Sequence, residues 1–409
     1  MKIVHISNND IGGAGIAAVR LHLALLERGI ESYLLTSQKH TQRIPRHFQV
    51  DPTGYFLKKT AIKLGLMKDK IKEHALKHLA NRPEGFEHFS FPFSETDLAN
   101  HPLVRQAELV HLHWVSDDFL DFNSFFRKIN KPVVWTLHDM NPFTGGCHHS
   151  DDCKGYIGNC SHCPQLKNTI DENYAAEMLK LKIDSLSLKK DSMQIIAPSL
   201  WLMKCSVNSK LFNGIDHHSI PNLADTKSFY PKDKDACRKK LNLPLDKKII
   251  LFIAKDSDNP RKGIHYLEDA VRQLNQDYLV CSVGKTELSF PGGINFNYIE
   301  SSSTLNEIYN AADVFVLPSL AENLPNTIIE ALLCGVPVAA FNIGGIPELI
   351  NDKNGRLADY KSAKSLAESI KTILSNSDYF RKDEIAAEAK LRFDADVIVK
   401  SHLQIYESN

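Results

Sequence analysis

Three stretches of this sequence carry residue types and spacings suited to a charged, hydroxylated ligand. The first is Gly12-Gly13-Ala14-Gly15, set between an apolar run and a helix-like segment. Glycines there let backbone N–H groups come close to a ligand, and the helix start behind them favours an anion, phosphate above all. A tight turn with no ligand is the plainer alternative. The second is Asn259-Pro260-Arg261-Lys262-Gly263. Two adjacent cations suit a diphosphate, with the arginine able to bind in bidentate fashion. Charge-assisted bonds of that kind contribute about 1.5–3 kcal/mol each, although a solvated basic turn would look the same. The third is Glu322-Asn323-Leu324-Pro325-Asn326-Thr327, closed by Glu330. A carboxylate accepts hydrogen bonds from vicinal hydroxyls, so both glutamates suit sugar rings. A second glycine turn, Asn342-Ile343-Gly344-Gly345, follows.

A different chemistry sits in the loop 139–165. Half of the eight cysteines fall here: Cys147, Cys153, Cys160 and Cys163, the last two spaced Cys-x2-Cys, with His148, His149 and His162 among them. In a reducing compartment this pattern favours metal over disulfide. Four thiolates suit a tetrahedral structural zinc, or a histidine could replace one of them; free thiols are the alternative. From Lys58 to Arg82 the chain is rich in lysine, with Ile62, Leu66, Ile71, Leu76 and Leu79 at helical spacing. A basic amphipathic helix can lie on an anionic membrane, but a solvated surface helix is the preferred reading.

The elements that must position these residues alternate strand and helix almost throughout, which predicts an α/β fold with parallel sheets. Apolar runs at 2–7, 108–114, 132–138 and 194–198 read as buried strands of one unit. Those at 247–253, 278–283, 313–317 and 337–341 read as strands of another. The expected organisation is a first domain over 1–215, a second over 216–392, and a C-terminal helix over 393–409 packing back on the first. The stretch 221–244 reads as a linker. In open sheets of this kind ligands bind at the carboxyl ends of the strands, where the second-half stretches 259–263, 322–330 and 342–348 are expected. A dehydrogenase would need an acid at the end of the second strand, which here ends Leu35-Thr36-Ser37-Gln38.

Lys plus Arg balances Asp plus Glu at 49 each, so bulk charge gives no reason to expect nucleic-acid binding. The N-terminus reads as a strand and not as a signal peptide, and no apolar run reaches membrane-spanning length, so the expected location is cytoplasmic.

Taken together, these motifs resemble retaining glycosyltransferases of family GT4, which have the GT-B fold of two Rossmann-like domains facing across a cleft. The resemblance rests on the Gly12-Gly13 loop with Arg20, on Arg261-Lys262, on the Glu322/Glu330 spacing and on Cys334-Gly335-Val336-Pro337. Ala197-Pro198-Ser199 and Phe229-Tyr230-Pro231 add to it. It implies that Gly12, Gly13, Asn323, Leu324 and Glu330 bind a UDP- or GDP-sugar donor, Glu330 through the ribose. It also implies that His138, Arg261, Lys262 and Glu322 serve the reaction, with no metal needed for catalysis. The acceptor would be a glycan or a lipid-linked intermediate of surface polysaccharide or lipopolysaccharide assembly, met at the inner membrane face. Cys-rich loops occur in some polysaccharide-building relatives. A nucleotide-sugar epimerase or hydrolase, or a non-catalytic binding protein, would share the fold. Two departures stand out. Many relatives have Glu-Gly-Phe-Gly where this chain has Glu322-Asn323-Leu324-Pro325, and Pro-Asn-Gly where it has Pro221-Asn222-Leu223.

Overall fold

A computed structural model describes the chain except residues 42, 51–56, 58–59, 65–68, 188, 256–258, 275–277, 286–292 and 409. It divides into two units. One comprises Met1–Ile220 with Val399–Asn409, the other Pro221–Ile398.

The first unit is built on a seven-stranded parallel sheet. Its strands are β1 (Lys2–Ser7), β2 (Glu31–Thr36), β3 (His47–Gln49), β4 (Leu109–Leu112), β5 (Val133–Thr136), β6 (Met193–Ala197) and β7 (Asp216–Ser219), in the order β3-β2-β1-β4-β5-β6-β7. The second carries a six-stranded parallel sheet of β8 (Lys248–Ile253), β9 (Tyr278–Val283), β10 (Ile294–Phe296), β11 (Val314–Leu317), β12 (Val338–Phe341) and β13 (Gly355–Ala358). Its order is β10-β9-β8-β11-β12-β13. Each is a doubly wound sheet whose strand order reverses once, beside β1 and β4 in the first and beside β8 and β11 in the second. Helices cover the sheets, so β4, β5, β11 and β12 are buried along their whole length. This is why they read as unbroken apolar runs. Trp135, Phe126 and Phe212 fill the first core; Phe252, Phe315, Phe341 and Tyr309 fill the second.

Two organisational expectations need correction. β7 pairs with β6 through Gln194–Asp216 to Ala197–Ser219, so the first unit runs past residue 215. Its Asp-His-His-Ser sequence has no apolar run to announce a strand. The stretch 221–244 is no linker either. It contains the helix Lys234–Lys240 and belongs to the second unit. Arg238, on that helix, is buried and donates to Asp313 Oδ2 at 2.6 Å and to the Ala311 carbonyl at 2.9 Å. The basic stretch is described only in part, with Lys58, Lys59, Leu66 and Lys68 outside the described residues. Lys70–Leu79 is a helix capped by Asp69, whose side chain accepts from the Lys72 N–H, and none of its residues is buried.

Histidines fill an uncommon share of the first core. His5 on β1 lies opposite His111 on β4, and both are fully buried. His5 Nδ1 is 3.0 Å from His113 Nε2. His111 bonds Thr136 Oγ1 at 2.8 Å and Tyr406 Oη at 2.6 Å, the tyrosine coming from the helix Ala395–Glu407. His22 lies between Ser32 Oγ at 2.7 Å and the Pro45 carbonyl at 2.8 Å, which fixes Nε2 as its donor. Burial holds all four imidazoles below their ordinary pKa, His22 at about 4. An unfolded histidine takes its proton near 6.5, so these groups favour folding fully above that pH. They withdraw that stability as pH falls from 6.5 toward about 4. The melting temperature should therefore begin to drop just below pH 6.5, before the carboxylates titrate. A flat melting temperature there would contradict the assignment of neutral core imidazoles.

Candidate active site

In the second unit the stretches 259–263, 322–330 and 342–345 converge on one residue. The loop after β8 ends in the short turn Pro260–Lys262, where the Asn259 side chain accepts from the Arg261 N–H at 2.9 Å. Gly263 then adopts a left-handed conformation with φ +65°, and a Cβ there would stand 1.9 Å from the Pro318 carbonyl oxygen. That contact clamps the loop against the one after β11. The Leu320 N–H, donating to the Arg261 carbonyl at 2.7 Å, adds a second tie. These two loops leave neighbouring strands on either side of the strand-order reversal, where open α/β sheets bind ligands.

The clamp brings two cations onto a single carboxylate oxygen. Lys262 Nζ donates to Glu322 Oε1 at 2.7 Å, and Arg261 Nη1 donates to the same atom at 3.1 Å. Arg261 Nη1 also donates to the Ala321 carbonyl at 2.8 Å. All three side chains are mostly buried. Two cations held side by side in this way suit an anionic ligand such as a phosphate. The loop after β12 closes the third side. Gly344 has φ +58°, and a Cβ there would lie 2.0 Å from the Glu322 carbonyl oxygen. The Gly345 N–H reaches that oxygen at 3.4 Å.

Asn323, Leu324 and Pro325 follow Glu322 and are buried. Pro325 stands at the N-cap of the helix Asn326–Leu333, and no side chain caps this helix start. A helix begun in this way directs its first N–H groups outward, toward negative charge. Glu330, on the same helix, has a different partner: it accepts from Tyr309 Oη at 3.3 Å. Tyr309 is itself fully buried, and its apolar neighbours give the sequence no mark to distinguish it from a core aromatic.

In the first unit, Gly12 and Gly13 are exposed at the start of the helix Gly12–Glu27, whose N-cap Ile11 makes no side-chain cap. Behind them Asp10 is buried and accepts from the N–H groups of His40 and Thr41, at 3.0 and 2.7 Å, so it ties the loop after β2 to the glycine loop. His138 follows β5, and its Nε2 is 3.3 Å from His113 Nδ1. Burial pulls the His138 pKa down to about 4 against the opposing pull of Asp139, so the imidazole is neutral at pH 7. Asp139 is gripped from three sides: by His148 Nδ1 at 2.6 Å, by Trp114 Nε1 at 2.8 Å and by the Asn141 N–H at 2.9 Å. Burial pushes its carboxyl up, yet His148 above all, with His149 and the Asn141 N–H, holds it well below the usual range. Nothing in the sequence marks Asp10, His113 or Tyr309 as part of a site. For Asp139 the adjacency to His138 is the available signal.

Residues 233–391 match the family model described as glycosyl transferases group 1. This group 1 glycosyl transferase region lies within the second unit. The chain is 31% identical to the teichuronic acid biosynthesis glycosyltransferase TuaC of Bacillus subtilis over 41% of its own length and 44% of that protein, and so spans under half of it. It is 27% identical to the N,N'-diacetylbacillosaminyl-diphospho-undecaprenol alpha-1,3-N-acetylgalactosaminyltransferase of Campylobacter jejuni, over 58% of this chain and 67% of that one. With the colanic acid biosynthesis glycosyl transferase WcaC of Escherichia coli it shares 23% identity over 97% of both chains. Anabaena HepE, solved in complex with UDP-glucose, superposes with a TM-score of 0.64 at 16% identity. The match covers the whole of both chains and shows a shared GT-B fold.

The arrangement around Glu322 depends on Gly344 being a glycine. Gly344→Ala must either move the Glu322 backbone or abandon its turn, a strain of about 1–3 kcal/mol. The expected result is a lower melting temperature, together with donor binding weakened by roughly tenfold, or about 1.4 kcal/mol. Thermal melts and donor titration of the purified variant check both effects.

Proposed function

We propose that this glycosyltransferase moves a sugar from a UDP- or GDP-sugar to a glycan or lipid-linked acceptor, with retention of anomeric configuration. The observation that carries this reading is the sharing of Glu322 Oε1 by Arg261 and Lys262 at the strand-order reversal of the second sheet. Two cations at such a point can receive a diphosphate. Glu322, released in part from them, can accept from sugar hydroxyls. In the reaction the bond from the anomeric carbon to the diphosphate oxygen breaks, and the electron pair leaves with the diphosphate. The acceptor hydroxyl adds on the face just vacated, and its proton passes to a diphosphate oxygen, so no protein base is needed. Stabilising the departing charge is then the main contribution of the protein. His138, neutral at pH 7, can hydrogen-bond a sugar hydroxyl without adding charge. Gly12, Gly13, Asn323 and Leu324 are assigned to donor contact, and Glu330 to the ribose.

The relatives support the substrate class. One acts on a diphospho-undecaprenol-linked sugar, and others belong to teichuronic and colanic acid biosynthesis. HepE was solved with UDP-glucose bound. On this basis the reading extends to surface polysaccharide or lipopolysaccharide assembly on the cytoplasmic face of the membrane. Among the described residues no helix is long and apolar enough to cross a membrane. The helix Lys70–Leu79 offers lysines together with exposed Leu76 as a peripheral contact.

A thermal-shift panel of UDP-, GDP- and ADP-sugars should show stabilisation by one donor class. Labelled donor of that class should then pass its sugar into a lipid or glycan fraction of the cell. Release of free sugar or of an epimer alone would favour the hydrolase or epimerase reading. Lys262→Ala should lower kcat by about 10²–10³-fold, the usual loss when one charge-stabilising donor is removed, with the fold retained by circular dichroism. Unchanged turnover in this variant would refute the role given to the cation pair.

A further inference from the structure

We infer that Cys147, Cys153, Cys160 and Cys163 together form a tetrathiolate site for one structural zinc ion. Such a site is independent of the transfer reaction and lies wholly within the first unit.

Four observations carry it. First, the four cysteines surround one pocket. All four cysteines line one small pocket, closed by Phe89, Tyr156 and Ala175 and by residues 144–146. All four are free thiols. They come from positions up to sixteen residues apart in sequence (147 to 163), so their meeting is a product of the fold of the loop. Second, the loop backbone offers a donor to sulfur: the Gly155 N–H donates to Cys153 Sγ at 3.4 Å, and a hydrogen bond received by sulfur suits a thiolate.

Third, the turn holding the closest pair in sequence is strained. Cys160 and His162 both have left-handed backbone, at φ +56° and +52°. Non-glycine residues in that region persist where surrounding bonds over-determine them. Two metal–sulfur bonds from one Cys-x2-Cys turn would do this. Fourth, the surroundings supply matching charge. Lys182 is fully buried, donates to the carbonyls of Asn141 and Thr144 at 2.6 and 3.0 Å, and acts electrostatically on Cys147 and Cys160. Arg82 donates to the Gln165 carbonyl at 3.1 Å and acts on Cys147 and Cys163. Asp139 also faces Lys182, and Glu87 faces Arg82. A zinc ion with four thiolates carries a net double negative charge. Lys182 and Arg82 beside it oppose that charge.

The donor set fits zinc chemically, since closed sites of four cysteines are a standard structural arrangement. No three of these sulfurs lie within 4.8 Å of one another. Zn–S bonds of about 2.3 Å place sulfurs about 3.8 Å apart in a tetrahedron, so metal entry must draw the side chains inward. Binding replaces four thiol protons by one Zn²⁺, with the protons released to solvent. The ion would fix the loop 139–165, which includes the Asp139 and His148 pair beside His138.

The test is metal analysis of the full chain purified without chelator. About one zinc per chain is expected. The double variant Cys160→Ser/Cys163→Ser should lose it, and Cys281→Ala, on β9 in the second unit, should keep it. Cobalt exchange gives a readout that does not rely on a variant folding. The cobalt protein should show the intense visible bands of tetrahedral coordination, with sulfur-to-metal charge transfer in the near ultraviolet. Three results would overturn the proposal: a zinc content that is a small fraction of one per chain, iron in place of zinc, or all four thiols reacting freely in the native zinc-treated protein.

Discussion

Much of the second unit is arranged around one carboxylate oxygen that accepts from two cations. Neither Arg261 nor Lys262 could be kept mostly buried without a counter-charge, because desolvating a cation is costly. Glu322 supplies it, and its backbone is in turn pressed by Gly344. The loops after β8, β11 and β12 thus close on one another where two cations share one carboxylate oxygen. An anionic leaving group suits that pair, and the parallel sheet beneath supplies the rigid frame.

The first unit answers a different constraint. Its sheet has a run of imidazoles through the core from His5 to His113 to His138, linked by contacts of 3.0 and 3.3 Å. Neutral imidazoles each donate once and accept once, so such a chain can be satisfied only in a limited set of tautomers. Tyr406 and Thr136 pin His111 beside it. The orientation of His138 is therefore set by packing that begins on β1.

The fold is legible in the sequence wherever burial is complete on both faces. The apolar runs at β1, β5, β8 and β11 stand out for that reason. The edge strands β3, β7, β10 and β13 do not, because a short edge strand such as Asp216–Ser219 needs no apolar run. The site is legible as separate motifs, since glycines, paired cations and spaced glutamates each have a chemistry of their own. Their convergence on Glu322 is not, because it depends on two left-handed glycines meeting carbonyl oxygens across loops. Glu330 illustrates the gap: its spacing from Glu322 is plain, but its bond to Tyr309 is not. The apparent linker at 221–244 misleads because Lys234–Lys240 is a polar helix whose one deeply held charge, Arg238, looks solvated on paper.

The chain leaves the first unit after Ile220 and returns to it at Val399. The second unit is thus one uninterrupted segment inserted into a discontinuous first unit. During synthesis from the N-terminus, the inserted segment is complete while the earlier one still lacks the helix that carries Tyr406. His111 then waits against Thr136, without its tyrosine, until that helix emerges. The order of maturation would be the reverse of the order of translation, with the imidazole core the last part to be sealed.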